Sequence, residues 1–389
     1  MSMFNFTALP PLSLYVHLPW CVRKCPYCDF NSHEAKGAVP EQAYVDALIA
    51  DLEQDLPSVW GRTVETVFIG GGTPSLFSPA AIDRLLSQLR ALLNLSANAE
   101  ITLEANPGTL EAGKFAEFRA AGINRLSIGV QSFDDAMLIK LGRIHGAREA
   151  TAAAEAAHAA GFAELNLDLM YGLPGQTAAQ ALADLEQAIA LQPTHLSHYQ
   201  LTIEENTRYA HAPPALPDDD ATWEMQERCQ ARLAAAGYEQ YEVSAYAQAG
   251  HRCRHNLNYW LFGDYLGIGA GAHAKISSAQ TQRIVRTVKL RHPRDYLAKA
   301  AAPLRIAEER IVTRRDAGFE FMLNALRLTE GFPVTLFAQH TGLPLQVVEG
   351  PLRKAEEKGL IERDMHAIRP TELGRRFLND LTALFLPEV

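Results

Sequence analysis

Cys21, Cys25 and Cys28 stand within eight residues of one another in a chain whose only other cysteines are Cys229 and Cys253. Three thiols at Cys-x3-Cys-x2-Cys spacing let one loop wrap a compact inorganic cluster. A structural zinc centre asks for four protein ligands, and His17 and His33 are the near candidates for the fourth. A [4Fe–4S] cluster with one iron left open for an exogenous ligand asks for three. Spacing alone leaves both open, and five cysteines are too few and too unevenly placed for a disulfide scaffold. Tyr27, beside Cys28, would give either centre an aromatic neighbour that limits solvent access.

Such a loop needs rigid elements to hold it. Apolar, β-rich runs cover 13–19, 66–70, 100–105, 125–131, 164–172 and 195–202. Amphipathic helical patterns cover 41–56, 79–93, 110–121, 147–160 and 177–191 between them, punctuated by Gly, Pro, Ser and Asn. This alternation implies an α/β fold with a parallel sheet and right-handed crossovers. Nothing resembles the GxGxxG turn of a dinucleotide-binding sheet, so the expected architecture is a partial, open (β/α)6 barrel over residues 1–205. In barrels the carboxyl ends of strands carry the chemistry, and the cysteine loop begins right after the first strand.

Beyond Thr202 the regularity breaks at Pro213, Pro214 and Pro217, and the Asp218–Asp220 triplet then reads as a helix start whose carboxylates offset the macrodipole. An intermediate segment, 206–300, includes a glycine-rich stretch at 263–273. Residues 301–389 read as a mostly helical, winged-helix-like domain, with helices at 334–340 and 346–358 and a β-like finish at 360–369. Glu349, Glu356 and Glu357 on the second of these helices favour packing over DNA binding.

The net charge is −9, from 36 Lys and Arg against 45 Asp and Glu. With no long basic stretch, sequence-independent nucleic-acid binding is not expected. No apolar run approaches the roughly 18 residues of a membrane span, and the first twenty residues lack a secretory pattern. A cytoplasmic location is the expectation.

Gly70-Gly71-Gly72-Thr73-Pro74 closes the second strand. Alone it is a turn, although a glycine triplet lets backbone groups approach a ligand without obstruction. In register with the cysteines it resembles the radical S-adenosylmethionine (SAM) superfamily, in which the open iron chelates the amino and carboxylate groups of the cofactor. Further segments are similar to the HemN/HemW group, the coproporphyrinogen dehydrogenase-like proteins, over essentially the whole chain. They are Tyr15–Cys21, Glu104–Pro107, Gly129–Phe133, Asp168–Gln176 and the His255-Asn256-Leu257-Asn258-Tyr259-Trp260 motif. The resemblance implies a [4Fe–4S] cluster on Cys21, Cys25 and Cys28, and SAM contacts from Tyr15, Gly71, Gly72, Thr73, Glu104, Gln131, Arg143 and Asp168. Glu104, Gln131 and Asp168 lie near strand ends, where polar side chains meet at one barrel mouth, and Arg143 offers a cation for a carboxylate.

Two branches of the group differ in function. One oxidatively decarboxylates coproporphyrinogen III to protoporphyrinogen IX; the other binds haem and delivers it. The dehydrogenase branch resembles Cys-x3-Cys-x2-Cys-x-Cys, whereas position 30 here is Phe30, and only twenty residues precede Cys21. Both departures, and the HNxxYW motif, point to the haem-chaperone branch, with the oxygen-independent dehydrogenase as the alternative. His255 offers an imidazole for haem iron, and Tyr259 and Trp260 offer flat apolar faces for the macrocycle. Cys253, His195 and His198 are secondary candidates for iron, and Cys229 reads as an inert buried thiol. The resemblance further implies haem as cargo, haem-accepting (respiratory) proteins as recipients, an electron donor for the cluster, peripheral membrane association and a haem-linked dimer.

Overall fold

The computed structural model describes residues 4–387; residues 1–3 and 388–389, the outermost parts of the first and third expected segments, lie outside that span. Six parallel strands follow one another: β1 (Leu12–Leu18), β2 (Thr63–Gly71), β3 (Asn94–Ala105), β4 (Arg125–Gln131), β5 (Glu164–Tyr171) and β6 (His195–Gln200). Each is hydrogen-bonded to the next in parallel register. Both faces are covered, which explains the near-continuous apolar runs. In β1, Leu12, Leu14, Val16 and Leu18 join the main core, and the alternate residues Ser13, Tyr15 and His17 face the other way.

Helices lie between the strands, and Pro79–Leu92 shows why they form. Ser78 caps it by accepting the Ala81 amide, Pro79 supplies a preset first turn, and Ile82, Leu85, Leu86 and Leu89 make one buried stripe. The helical pattern at 110–121 resolves into two pieces, Thr109–Ala112 and Phe115–Ala121, with Gly113 at the break. Asp218 caps the helix Asp219–Ala235 by accepting the Ala221 amide at 2.8 Å.

A seventh parallel strand, β7 (Asp264–Ile268), pairs with the free edge of β1. Antiparallel strands β8 (His273–Ser278), β9 (Arg283–Lys289) and β10 (Ile306–Ile311) extend the sheet beyond it. With short strands at Ala245–Ala247 and Glu239–Gln240 on the far edge, the sheet has twelve strands among the described residues. The glycines that hid β7 from the sequence pattern are steric necessities. A Cβ at Gly267 would strike the His273 carbonyl, and one at Gly269 the His17 carbonyl.

A buried ionic knot fastens this extension to the first helix, Glu41–Val59. Asp51 accepts Lys289 Nζ at 2.6 Å, Arg305 Nε at 2.7 Å and the Tyr296 hydroxyl at 2.7 Å, and Asp55 accepts from Lys289 Nζ and Arg305 Nη2. The carboxyl-terminal part packs helices Arg314–Ala325, Val334–Thr341 and Glu349–Glu357 against a three-stranded sheet of Phe332–Pro333, Ile361–Arg363 and Ala367–Pro370. Its separate core, around Phe321, Phe337, Leu352 and Ile368, also takes in Phe4 and Phe6 from the start of the chain. No helix among the described residues is long and apolar enough to cross a membrane.

Candidate functional site

The cysteine loop leaves β1 and is pinched shut where Trp20–Cys21 pairs in parallel with His33–Glu34. Lys24 Nζ holds the carbonyls of Phe30 and Ser32 from inside the loop at 3.0 and 3.3 Å. Asn31 ties it outward, donating to the carbonyls of Ala270 and Arg291 at 2.9 and 2.8 Å. The glycine segment docks against it, with the Gly72 amide on the Leu18 carbonyl and the Thr73 amide on the Trp20 carbonyl, both at 2.8 Å. A Cβ at Gly72 would sit 2.6 Å from the Trp20 oxygen, and one at Gly71, where φ is +118°, 2.6 Å from the His17 ring. Glycine is thus required for this approach.

Cys21, Cys25 and Cys28 border one cavity of about 360 Å3, together with Gly71, Gly72, Thr73, Glu104, Gln131, Arg143 and Asp168. Seven of the eight residues expected to meet SAM therefore share a cavity with the three thiols. Tyr15 stands outside that wall, its hydroxyl 2.9 Å from His17 Nδ1. Glu104 Oε2 accepts the Gly71 amide at 3.0 Å. Burial, reinforced by the nearby Asp168 charge, pushes the Glu104 carboxyl up to about 8. Burial also raises Asp168, against the hydrogen bonds it accepts from Asn166 and Ser127. Gln131 ends β4 with φ +70°, a left-handed conformation that costs a non-glycine residue about 1 kcal/mol or more and that clusters at binding sites.

Arg143 spans the cavity. One terminal nitrogen lies 3.7 Å from Cys25 Sγ, and the other donates to Asn106 Oδ1 at 2.8 Å and the Gly129 carbonyl at 2.6 Å. Its buried Nε has no protein partner. Asn106 in turn donates to Thr73 Oγ1 at 3.0 Å. Tyr27 lines the same cavity and packs near Tyr209.

These residues fit an iron–sulfur cluster and an amino-acid-like cofactor. Among the described residues no three His, Cys, Asp or Glu side chains converge closely enough to hold one metal ion. A [4Fe–4S] cluster needs no such convergence, since each cysteine binds a different iron. His17 engages both ring nitrogens, with the Tyr15 hydroxyl and the Asn31 carbonyl, and His33 leans on Asn31 Oδ1. The unpartnered Arg143 Nε and the raised carboxyl groups match a ligand that carries both a carboxylate and an ammonium group.

The His255 motif lies at the other end of the barrel. The Glu100 carboxylate, toward the amino end of the paired part of β3, accepts the Arg254 and His255 amides and so caps the helix Arg254–Trp260. His255 is 1% exposed, bonds Thr66 Oγ1 through Nδ1 at 2.7 Å and stacks on Phe68, while Nε2 has no protein partner. Burial lowers this imidazole to about 3. Tyr259 packs edge-on to His255, and Trp260 lies under the Arg327 guanidinium. Tyr259 and Trp260 border a second interior cavity of about 320 Å3, which shares Glu104, Ser127, Asp168 and Tyr199 with the first.

The secondary candidates are enclosed. His195 is bonded through both nitrogens, to Asn166 and Tyr241, and His198 stacks on Tyr171. Burial pushes the Cys229 thiol up to about 11 and, with Glu100 beside it, the Cys253 thiol up to about 12. Sequence reasoning passed over Asn106, Ser127, Asn166 and Tyr199. Ser127 and Asn166 carried a signal, because a polar residue inside an otherwise apolar parallel strand points to the lumen.

Barrel, cysteine loop and glycine turn together define a radical SAM protein. The model of the radical SAM superfamily matches residues 15–188, and that of the HemN C-terminal domain matches residues 312–377. The chain is 53% identical over 380 residues to the Escherichia coli (strain K12) protein named heme chaperone HemW, covering 98% of this chain and 99% of that one. It is 50% identical over 384 residues to the Haemophilus influenzae protein of the same name, with the same coverage. It belongs to the HemW family. A solved structure described as coproporphyrinogen III oxidase (HemN) from Escherichia coli matches in fold, with a TM-score of 0.82 at 24% identity over 97% of this chain and 90% of that one.

Proposed function

We propose that this chain is a haem chaperone of the cytoplasm that carries a SAM-binding [4Fe–4S] cluster and passes haem to haem proteins. The observation that carries the reading is 53% identity over nearly the whole length of a protein bearing that name. Phe30 supports it. Where the dehydrogenase branch has a fourth cysteine, this loop presents an apolar ring that is 61% exposed.

In this reading Cys21, Cys25 and Cys28 hold the cluster, and Gly71 to Thr73 offer backbone groups to the methionine part of SAM. Glu104 and Asp168 accept from its ammonium or ribose groups, Gln131 lies at the same mouth, Tyr15 backs the strand through His17, and Arg143 meets the carboxylate. When bound, the cluster supplies an open iron and one electron from a reduced donor protein. His255, Tyr259 and Trp260 are candidate haem contacts, and a haem reaching His255 requires the helix Arg254–Trp260 to move, because that ring is fully enclosed. Respiratory haem proteins at the membrane surface are the proposed recipients, and a haem-bridged dimer the proposed loaded form.

An anaerobic assay tests the reading. Protein with measured iron and sulfide receives SAM, dithionite and coproporphyrinogen III, and products are read by mass. The expected result is no protoporphyrinogen IX alongside haem binding seen as a new Soret band. Sustained formation of protoporphyrinogen IX would overturn it in favour of the dehydrogenase.

A further inference from the structure

The cysteine loop has a second, outer face. There, between the loop and the helix Pro293–Lys299, lies a groove of about 1110 Å3, against about 360 and 320 Å3 for the two cavities inside the barrel. Small-molecule sites run from about 300 to 1,000 Å3, so the outer groove has room for a macrocycle with its side arms. It shares Cys25, Cys28, Lys24 and Ser32 with the inner cavity, so the same loop forms a wall of both.

Its walls combine three kinds of group. Trp20, Pro40, Pro293 and Leu297 give apolar surface. Lys24, Lys36, Arg208 and Arg294 face a single acid, Glu34, although the chain as a whole carries a net charge of −9. Lys36, Arg208 and Arg294 are exposed, and no ion pair engages them among the described residues. The third kind is imidazole. His33 and His292 meet edge to face with ring centroids 5.4 Å apart, too close to sandwich one iron between them. His33 is held by Asn31. His292 uses Nδ1 to accept the Arg294 amide at 3.3 Å, and that leaves its Nε2 with no partner among the described residues.

We propose that this groove seats haem, with His292 as the axial ligand and Lys36, Arg208 and Arg294 as partners for its two carboxylates. The inference rests on the haem reading above and gives it an entrance that the enclosed His255 does not have. A flat apolar dianion is the ligand that matches apolar walls, unpaired cations and a free imidazole together.

The test is haem titration of the cluster-loaded protein, followed by Soret position and affinity. His292→Asn keeps the helix cap, because an asparagine oxygen also accepts the Arg294 amide, but removes the ligand. It is expected to lose the imidazole-ligated spectrum and about tenfold or more in affinity, with added imidazole restoring the spectrum. A Lys36→Ser, Arg294→Ser double variant is expected to weaken haem but not haem dimethyl ester, which lacks the carboxylates. Wild-type binding with both variants unchanged overturns this site and leaves the haem reading standing. No haem binding by the wild type overturns the reading itself. Charge variants that spare haem but slow cluster reduction by an acidic flavoprotein overturn the haem seat and assign the patch to the electron donor.

Discussion

Arg143 reaches Cys25 directly, its guanidinium 3.7 Å from the sulfur, from a position more than a hundred residues further along the chain. The same side chain fixes Asn106 and the Gly129 carbonyl. One cation thereby joins the cysteine loop to the ends of two barrel strands.

Arg143→Lys cannot reproduce this fork. Charge-assisted hydrogen bonds are worth about 1.5–3 kcal/mol each. The variant should bind SAM at least tenfold more weakly by calorimetry while keeping its iron and sulfide. Unchanged SAM affinity would remove Arg143 from the cofactor's contacts.

Gly72→Ala places a methyl 2.6 Å from the Trp20 carbonyl, which is backbone and cannot rotate away. The turn must withdraw from the loop that begins at Cys21. Reconstituted protein should carry less iron per chain, with an unchanged far-UV spectrum. Cys253→Ser, remote from the loop, should load fully, whereas Cys21→Ser, Cys25→Ser and Cys28→Ser should not.

Glu104 makes stability depend on pH in a direction set by its raised carboxyl. Asp168, Tyr15 and Tyr199 are the titratable groups that face it. The folded state holds a proton that the unfolded chain releases near 4.5, so stability falls as pH rises from about 4.5 to about 8 and then levels. The slope from one such group is at most about 1.4 kcal/mol per pH unit, less where cavity water screens it. Glu104→Gln should remove that part of the slope in denaturation series across pH, and an identical slope would contradict the assignment.

Asp51 pairs with two buried cations at once. Asp51→Ala leaves Lys289 and Arg305 with Asp55 alone, and breaking such a pair costs about 3–5 kcal/mol. The urea midpoint should drop with little change in slope.

Most of the barrel was legible because its strands are apolar runs and its helices follow amphipathic patterns, two of them with side-chain caps at Ser78 and Thr177. β4 and the helix starts at Glu41, Pro79 and Ala147 stand where the pattern put them. β3 begins at Asn94, six residues earlier than its apolar run, because Asn94 and Leu95 pair with Thr63 and Val64 although residues 94–98 are exposed or only half-buried. β7 was illegible because its glycines answer to backbone contacts that only the folded chain contains. In the site, the cysteines and glycines announce themselves through spacing. Asn106 and the outer His33–His292 pair do not, since partners 33 to 260 residues apart in sequence bring them into place.

The anchoring of Asn31 on Ala270 and Arg291 sets a timetable for synthesis. The cysteines emerge from the ribosome early, but the carbonyls that shape their loop emerge after most of the chain has been made. Until then the thiols sit on a segment that lacks this outer anchor, open to oxidation and to stray metal ions. Nascent chains arrested before residue 270 should therefore accept iron poorly and label readily with thiol reagents, whereas chains released beyond residue 291 should resist labelling once filled. Iron–sulfur delivery to this protein is thus expected to follow translation and not to accompany it.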